Sequence, residues 1–228
     1  MKTILLAGCS WGAGVWNKDS EIVHPGLAKY LQDIGYNVVN LSQPGRGPFA
    51  VVEPIDTFLK VNSNFLDIEH IFVIQSDVAR DFDQFYRKHY KIRTMDSNTL
   101  EHNIKYTYYD FYSKLNYIGE QQQQKINLIG GLTDLVIEFA KSFPQLDFII
   151  PSWIQLMHSE ASPIYIHQVE NIPEDHKDKK QMLPFIEDAI NTGSLFSSSI
   201  RFPDNQHPDE LGHKILFDHL KSLHLFDR

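Results

Sequence analysis

Five short apolar runs, separated by stretches with helical spacing, restrict this chain to very few architectures. They are Thr3-Ile4-Leu5-Leu6-Ala7, Asn37-Val38-Val39-Asn40-Leu41, His70-Ile71-Phe72-Val73-Ile74-Gln75, Ile126-Asn127-Leu128-Ile129 and Leu146-Asp147-Phe148-Ile149-Ile150. Runs of this length without strict alternation suit strands buried on both faces. Between the first two, Leu27, Tyr30, Leu31 and Ile34 recur at helical spacing, and Gly35 supplies a stop. Val51, Ile55, Phe58 and Leu59 mark a second helix, and Leu135, Phe139 and Phe143 a short one. Leu183, Ile186 and Ile190 mark another, closed by Gly193, and Leu211, Ile215, Leu216 and Leu220 a terminal one. Strands that alternate with helices imply a parallel sheet covered on both sides, and the right-handed crossover rule favours a doubly wound, three-layer α/β/α arrangement. At 228 residues and 42% hydrophobic, the chain can bury one substantial core, so a single domain over residues 1–228 is expected.

Residues 78–125 interrupt the alternation. Leu100, Ile104, Tyr108, Phe111, Leu115 and Ile118 fall 4, 4, 3, 4 and 3 apart, one apolar face of a long helix inserted after the third strand. The segment is rich in Tyr and Phe. Its rings can form a lid over a ligand, but packing of the inserted helix on the sheet is the preferred reading. So long a face also suits a contact between two copies of the chain.

The first strand runs into Gly8-Cys9-Ser10-Trp11-Gly12-Ala13-Gly14. A glycine-lined bend there places the serine at the strand's carboxyl end, where open α/β sheets bind ligands. A phosphate-cradling loop would need a Lys-Ser or Lys-Thr pair, which is absent, and a dinucleotide fingerprint would need glycine at Asn17. Gly8-x-Ser10-x-Gly12 fits a nucleophile turn, although the α/β-hydrolase elbow usually sits mid-chain.

A nucleophilic serine needs a base and a carboxylate to orient that base. Asp204 and His207 lie three apart, just before the predicted terminal helix. Together with Gly8-x-Ser10-x-x-x-Gly14, this pair resembles the SGNH (GDSL-like) hydrolases. That family carries its serine in a block near the amino terminus and Asp-x-x-His in a block near the carboxyl terminus. The resemblance implies strand order 2-1-3-4-5 and a Ser10–His207–Asp204 triad. It also places Gly45, after strand two, as an oxyanion donor beside the N–H of Ser10.

The chain departs from the family after strand three, where Gly-x-Asn-Asp is expected and Ile74-Gln75-Ser76-Asp77 stands. Ser76 takes the place of the oxyanion-hole asparagine. Its hydroxyl donates from a shorter side chain, and Gln75 or Arg80 can contact the substrate instead. Loss of one such donor costs roughly 10²–10³ in turnover.

The formal charge, 21 − 29 = −8, argues against nucleic-acid and anionic-membrane partners. The single cysteine, Cys9, excludes an intrachain disulfide and a cysteine-based zinc site, and reads as a small buried hydrophobe. The apolar run after Met1-Lys2 is too short for a signal peptide, and no window has transmembrane length, so a cytoplasmic location is expected. Trp11, beside Ser10, and Trp153, after strand five, are expected to line the pocket. His158, His167 and His176 lack metal-ligand spacing, and His213 reads as a packed or capping helix residue.

The expected activity is hydrolysis of a small-molecule or carbohydrate ester through an acyl-enzyme, with no metal or organic cofactor. An acyltransferase with the same triad and a catalytically weak binding module are the alternatives.

Overall fold

The computed structural model describes residues 1–62, 66–75, 97–130, 142–149 and 209–227, with the backbone alone taken for 97–105. In chain order the elements are β1 (Thr3–Gly8), α1 (Ser10–Ala13), β2 (Val15–Trp16), β3 (Ile22–His24) and α2 (Leu27–Asp33). Then come β4 (Asn37–Asn40), α3 (Pro48–Asn62), β5 (Ile68–Ile74), α4 (Ser97–Gln122), β6 (Ile126–Ile129), β7 (Leu146–Ile149) and α5 (Glu210–Ser222). They belong to two compact units, one of residues 1–13 and 35–149, the other of residues 14–34 and 150–228.

The first unit is built on a five-stranded sheet of order β4-β1-β5-β6-β7, every neighbouring pair parallel. Counting only the sheet's own strands, this is the expected order 2-1-3-4-5. Every residue of β1 and of β6 is buried, which is why those segments read as continuous apolar runs. The edge strands differ: β4 is half-buried to exposed, and β7 is buried at its two ends and more exposed at its two middle residues. The register pairs Leu6 with Asn40 and Gly8 with Ile74, so the carboxyl ends of β4, β1 and β5 meet at one edge of the sheet.

Helices α3 and α4 pack on the sheet and on each other. Val51, Val52, Ile55 and Leu59 form the buried stripe of α3. From α4, Tyr108, Phe111, Leu115 and Ile118 are buried, the expected face of the inserted helix. The Tyr112 ring stacks on Tyr108 at 5.7 Å and meets Phe148 of β7 edge-on at 5.3 Å. Tyr112, absent from the expected stripe, is therefore a central ring of this core.

In the second unit β2 and β3 form a two-stranded antiparallel ribbon that the sequence pattern does not announce. Its strands hold only two and three residues, too few for a period to register. The turn between them is set by Asn17, whose Oδ1 accepts from the N–H groups of Asp19 and Glu21. Helices α2 and α5 pack together in the same unit. Asp209 caps α5, its carboxylate accepting from the Gly212 N–H at 3.0 Å. No described helix is long and apolar enough to cross a membrane. The helix expected from Leu183 to Ile190 and the amino-terminal part of the insertion, 78–96, lie outside the described residues, as do Leu135 and Phe139.

Candidate active site

Ser10 opens α1, a single helical turn that begins two residues beyond the last residue of β1. The Gly12 N–H closes the turn on the Cys9 carbonyl at 3.0 Å. β1 lies between β4 and β5, so this turn sits beside the point where the strand order reverses, the usual ligand edge of an open sheet. Ser10 is only 3% exposed, and Cys9 and Trp11 are buried with it. Cys9 thus fills the expected place of a small hydrophobe. Trp11, expected to line a pocket, is 7% exposed.

The loop after β4 is zipped onto this turn. The Leu41 N–H donates to the Leu6 carbonyl at 2.7 Å, and the Gln43 N–H to the Gly8 carbonyl at 3.0 Å. Asn40, the last residue of β4, donates from Nδ2 to the Gly12 carbonyl at 2.8 Å and accepts the Ser42 N–H on Oδ1 at 3.0 Å. Ser42 presses against Gly12: a Cβ at position 12 would lie 2.3 Å from Ser42 Oγ and 3.0 Å from its Cβ. A side chain at 12 would require Ser42 to shift. Among the described residues the buried Ser42 Oγ has no hydrogen-bond partner.

Gly45 follows in the same loop with φ +71°, a left-handed conformation that favours glycine, and a Cβ there would meet only open space. Backbone conformation, then, favours glycine at 45, whereas crowding by Ser42 favours it at 12. Asn40 and Ser42 receive no role from sequence alone, where one lies inside the second apolar run and the other starts a run of turn formers. The available signal is an amide side chain near the end of a strand at the ligand edge.

Beyond β5, Gln75 extends the ladder by one bond, its N–H donating to the Ile129 carbonyl at 2.9 Å. Its side chain is buried, and Oε1 accepts from the Tyr112 hydroxyl at 2.9 Å. Ile74, one residue earlier, sends its Cδ1 to within 3.4 Å of the position a Gly12 Cβ would occupy. Alternation along the strand therefore separates the side chain facing the Ser10 turn from the one held by α4. Ser76 and Arg80 lie outside the described residues, as do Asp204, His207 and Trp153.

In the second unit His213 is 2% exposed. Its Nδ1 lies 3.2 Å from the Leu27 N, and its Nε2 lies 3.2 Å from the Gly14 carbonyl oxygen. A backbone N–H can only donate, so Nδ1 accepts, and the neutral ring carries its proton on Nε2 and donates it to Gly14. Both nitrogens are committed to backbone, as befits a packed and capping residue. Nearby, the Tyr30 hydroxyl lies 3.2 Å from the Glu210 carbonyl oxygen and 3.3 Å from its carboxylate. Burial first, and the Glu210 charge second, push the Tyr30 hydroxyl up to about 12. Among the described residues no cluster of His, Cys, Asp and Glu is arranged to hold a metal ion.

No protein-family model matches the chain, and neither does any curated protein sequence. Solved structures do. The psychrotrophic esterase EstA from Pseudoalteromonas sp., in a structure inhibited by monoethylphosphonate, aligns over 96% of this chain and 94% of its own, with TM-score 0.50 and 10% identity. LAE5, an alpha/beta hydrolase enzyme from the metagenome of Lake Arreo, Spain, aligns over 99% and 96%, with TM-score 0.50 and 10% identity. The chain shares the fold of these two hydrolases. A lipase/acylhydrolase from Enterococcus faecalis also matches over 99% of this chain and 96% of its own, with TM-score 0.47 and 15% identity. At such identities the shared property is the fold, and chemistry must be argued from side chains.

Proposed function

We propose that the protein hydrolyses a small-molecule or carbohydrate ester with Ser10 as nucleophile. The observation that carries this reading is the position of Ser10: first residue of a helical turn directly after β1, at the strand-order reversal, with the Gly45 loop hydrogen-bonded to the end of the same strand. His207 takes the Ser10 proton as Oγ attacks the ester carbonyl, and Asp204 holds the imidazole in the required tautomer. The N–H groups of Ser10 and Gly45, with Ser76 in the place of the family asparagine, donate to the tetrahedral oxyanion. His207 then protonates the leaving alcohol, and water, deprotonated by the same imidazole, releases the acid from Ser10. Trp11, Gln75, Arg80 and Trp153 are the proposed substrate contacts.

A fluorophosphonate tests this directly; EstA is inhibited by monoethylphosphonate. The expected result is one covalent adduct, mapped to Ser10, together with hydrolysis of short p-nitrophenyl esters. Ser10→Ala should abolish both while the circular-dichroism spectrum stays unchanged. Hydrolysis by folded Ser10→Ala protein at the wild-type rate would exclude Ser10. A wild-type protein that neither reacts nor hydrolyses would favour a second reading, a binding module on this fold. The observation behind it is the missing asparagine after strand three.

A further inference from the structure

Among the interactions near Ser10, one links the nucleophile's turn to the neighbouring strand through a side chain. Asn40 is an exposed residue at the end of an edge strand, yet its carboxamide is used at both ends. Nδ2 donates to the Gly12 carbonyl, two residues beyond Ser10, and Oδ1 accepts from Ser42 on the path to Gly45. With Gln43 bonded to Gly8, this amide closes a bracket around the turn: β1 end, Gly45 loop, Asn40, Gly12. A one-turn helix of four residues has little rigidity of its own, because helix nucleation is unfavourable and most of its carbonyls lack intrahelical partners. The Gly12 carbonyl is one such group, and Asn40 satisfies it.

We propose that Asn40 is a positioning residue for the nucleophile: its amide fixes the turn that aims Ser10 and holds that turn in register with the Gly45 loop. The inference rests on the reading of Ser10 as nucleophile. It differs from a purely structural role in the atom that matters, the donor Nδ2. Displacement of about 1 Å at a reacting group can cost on the order of 10² in rate.

Asn40→Asp separates the two halves of the bracket. A carboxylate still accepts from the Ser42 N–H, but it only accepts, and it turns a lone pair toward the Gly12 carbonyl. Once protonated, the same carboxyl regains a donor for that carbonyl. Asn40→Ala removes both bonds at every pH. The measurement is the second-order rate of fluorophosphonate labelling at Ser10, from about pH 8 down to about pH 4, with melting temperatures alongside.

Expected is a fall of about tenfold or more for both variants at about pH 8, with melting within a few degrees of wild type. The ratio of wild type to Asn40→Asp should shrink as pH falls, while the ratio to Asn40→Ala stays flat. Labelling of both variants within about twofold of wild type, a flat Asn40→Asp ratio, or loss of folding in both would overturn the inference and leave the Ser10 reading standing. A wild-type protein that never labels would overturn both.

Discussion

At the scale of single residues, the described structure shows which side chains are used to hold backbone. His213 is one of them. It sits six residues beyond His207 and, as a histidine near a terminal block, is the natural competitor for the role of base. Its ring instead bridges Leu27 and Gly14 in a buried site. His213→Ala would leave a buried donor and a buried acceptor unpaired and open a cavity, at a cost of about 3 kcal/mol. For a chain of this size that corresponds to a fall of about 6–12 °C in melting temperature. Below the new transition, labelling of Ser10 should persist, whereas His207→Ala should lose it with little change in melting. A folded His213→Ala protein that no longer labels would reverse the two assignments.

At the scale of elements, two contacts between secondary-structure elements give separate predictions. The Tyr112–Gln75 bond latches α4 to the residue after β5 in a fully buried setting. Tyr112→Phe keeps the ring stack but strands the Gln75 Oε1, and should cost about 1–3 kcal/mol by denaturant unfolding. If Gln75 also touches substrate, the same change should raise KM for p-nitrophenyl esters; an unaltered KM would confine Gln75 to packing.

The second contact joins α2 to α5. Tyr30 stacks on Phe217 at 5.7 Å, and its hydroxyl is kept protonated by burial and by Glu210. The folded-state value, about 12, lies above the ordinary value of 10, so the neutral phenol stabilises the fold fully below about pH 10. That contribution disappears as pH rises through about 12. Tyr30→Phe keeps the stack without the titrating group. Its melting temperature should therefore decline less than that of wild type between pH 10 and pH 12, and parallel curves would show that Tyr30 contributes nothing to the alkaline loss.

At the scale of the whole molecule, the sheet is largely legible in the sequence. Buried parallel strands must be apolar on both faces, so β1, β5 and β6 stand out from the polar segments around them. Their order follows from connection rules and from the resemblance carried by Ser10, Asp204 and His207. The helix after β5 announced itself by spacing. The β2–β3 ribbon was not legible, since five residues in two strands carry no period.

The bracket around Ser10 was not legible either, for a different reason. Asn40, Ser42 and Gly12 come together only because parallel register brings Asn40 opposite Leu6 and the following loop against Gly8. Tyr112 likewise reaches Gln75 only because α4 returns over the sheet, 37 residues later in the chain. Sequence by itself determined which segments must be buried and which edge presents Ser10, because burial and strand direction are set by local chemistry. Which amide holds the turn, which ring holds Gln75 and which histidine is already committed were decided only by tertiary structure. Hydrogen bonds are short-ranged and directional, and their partners are chosen by packing, not by separation along the chain.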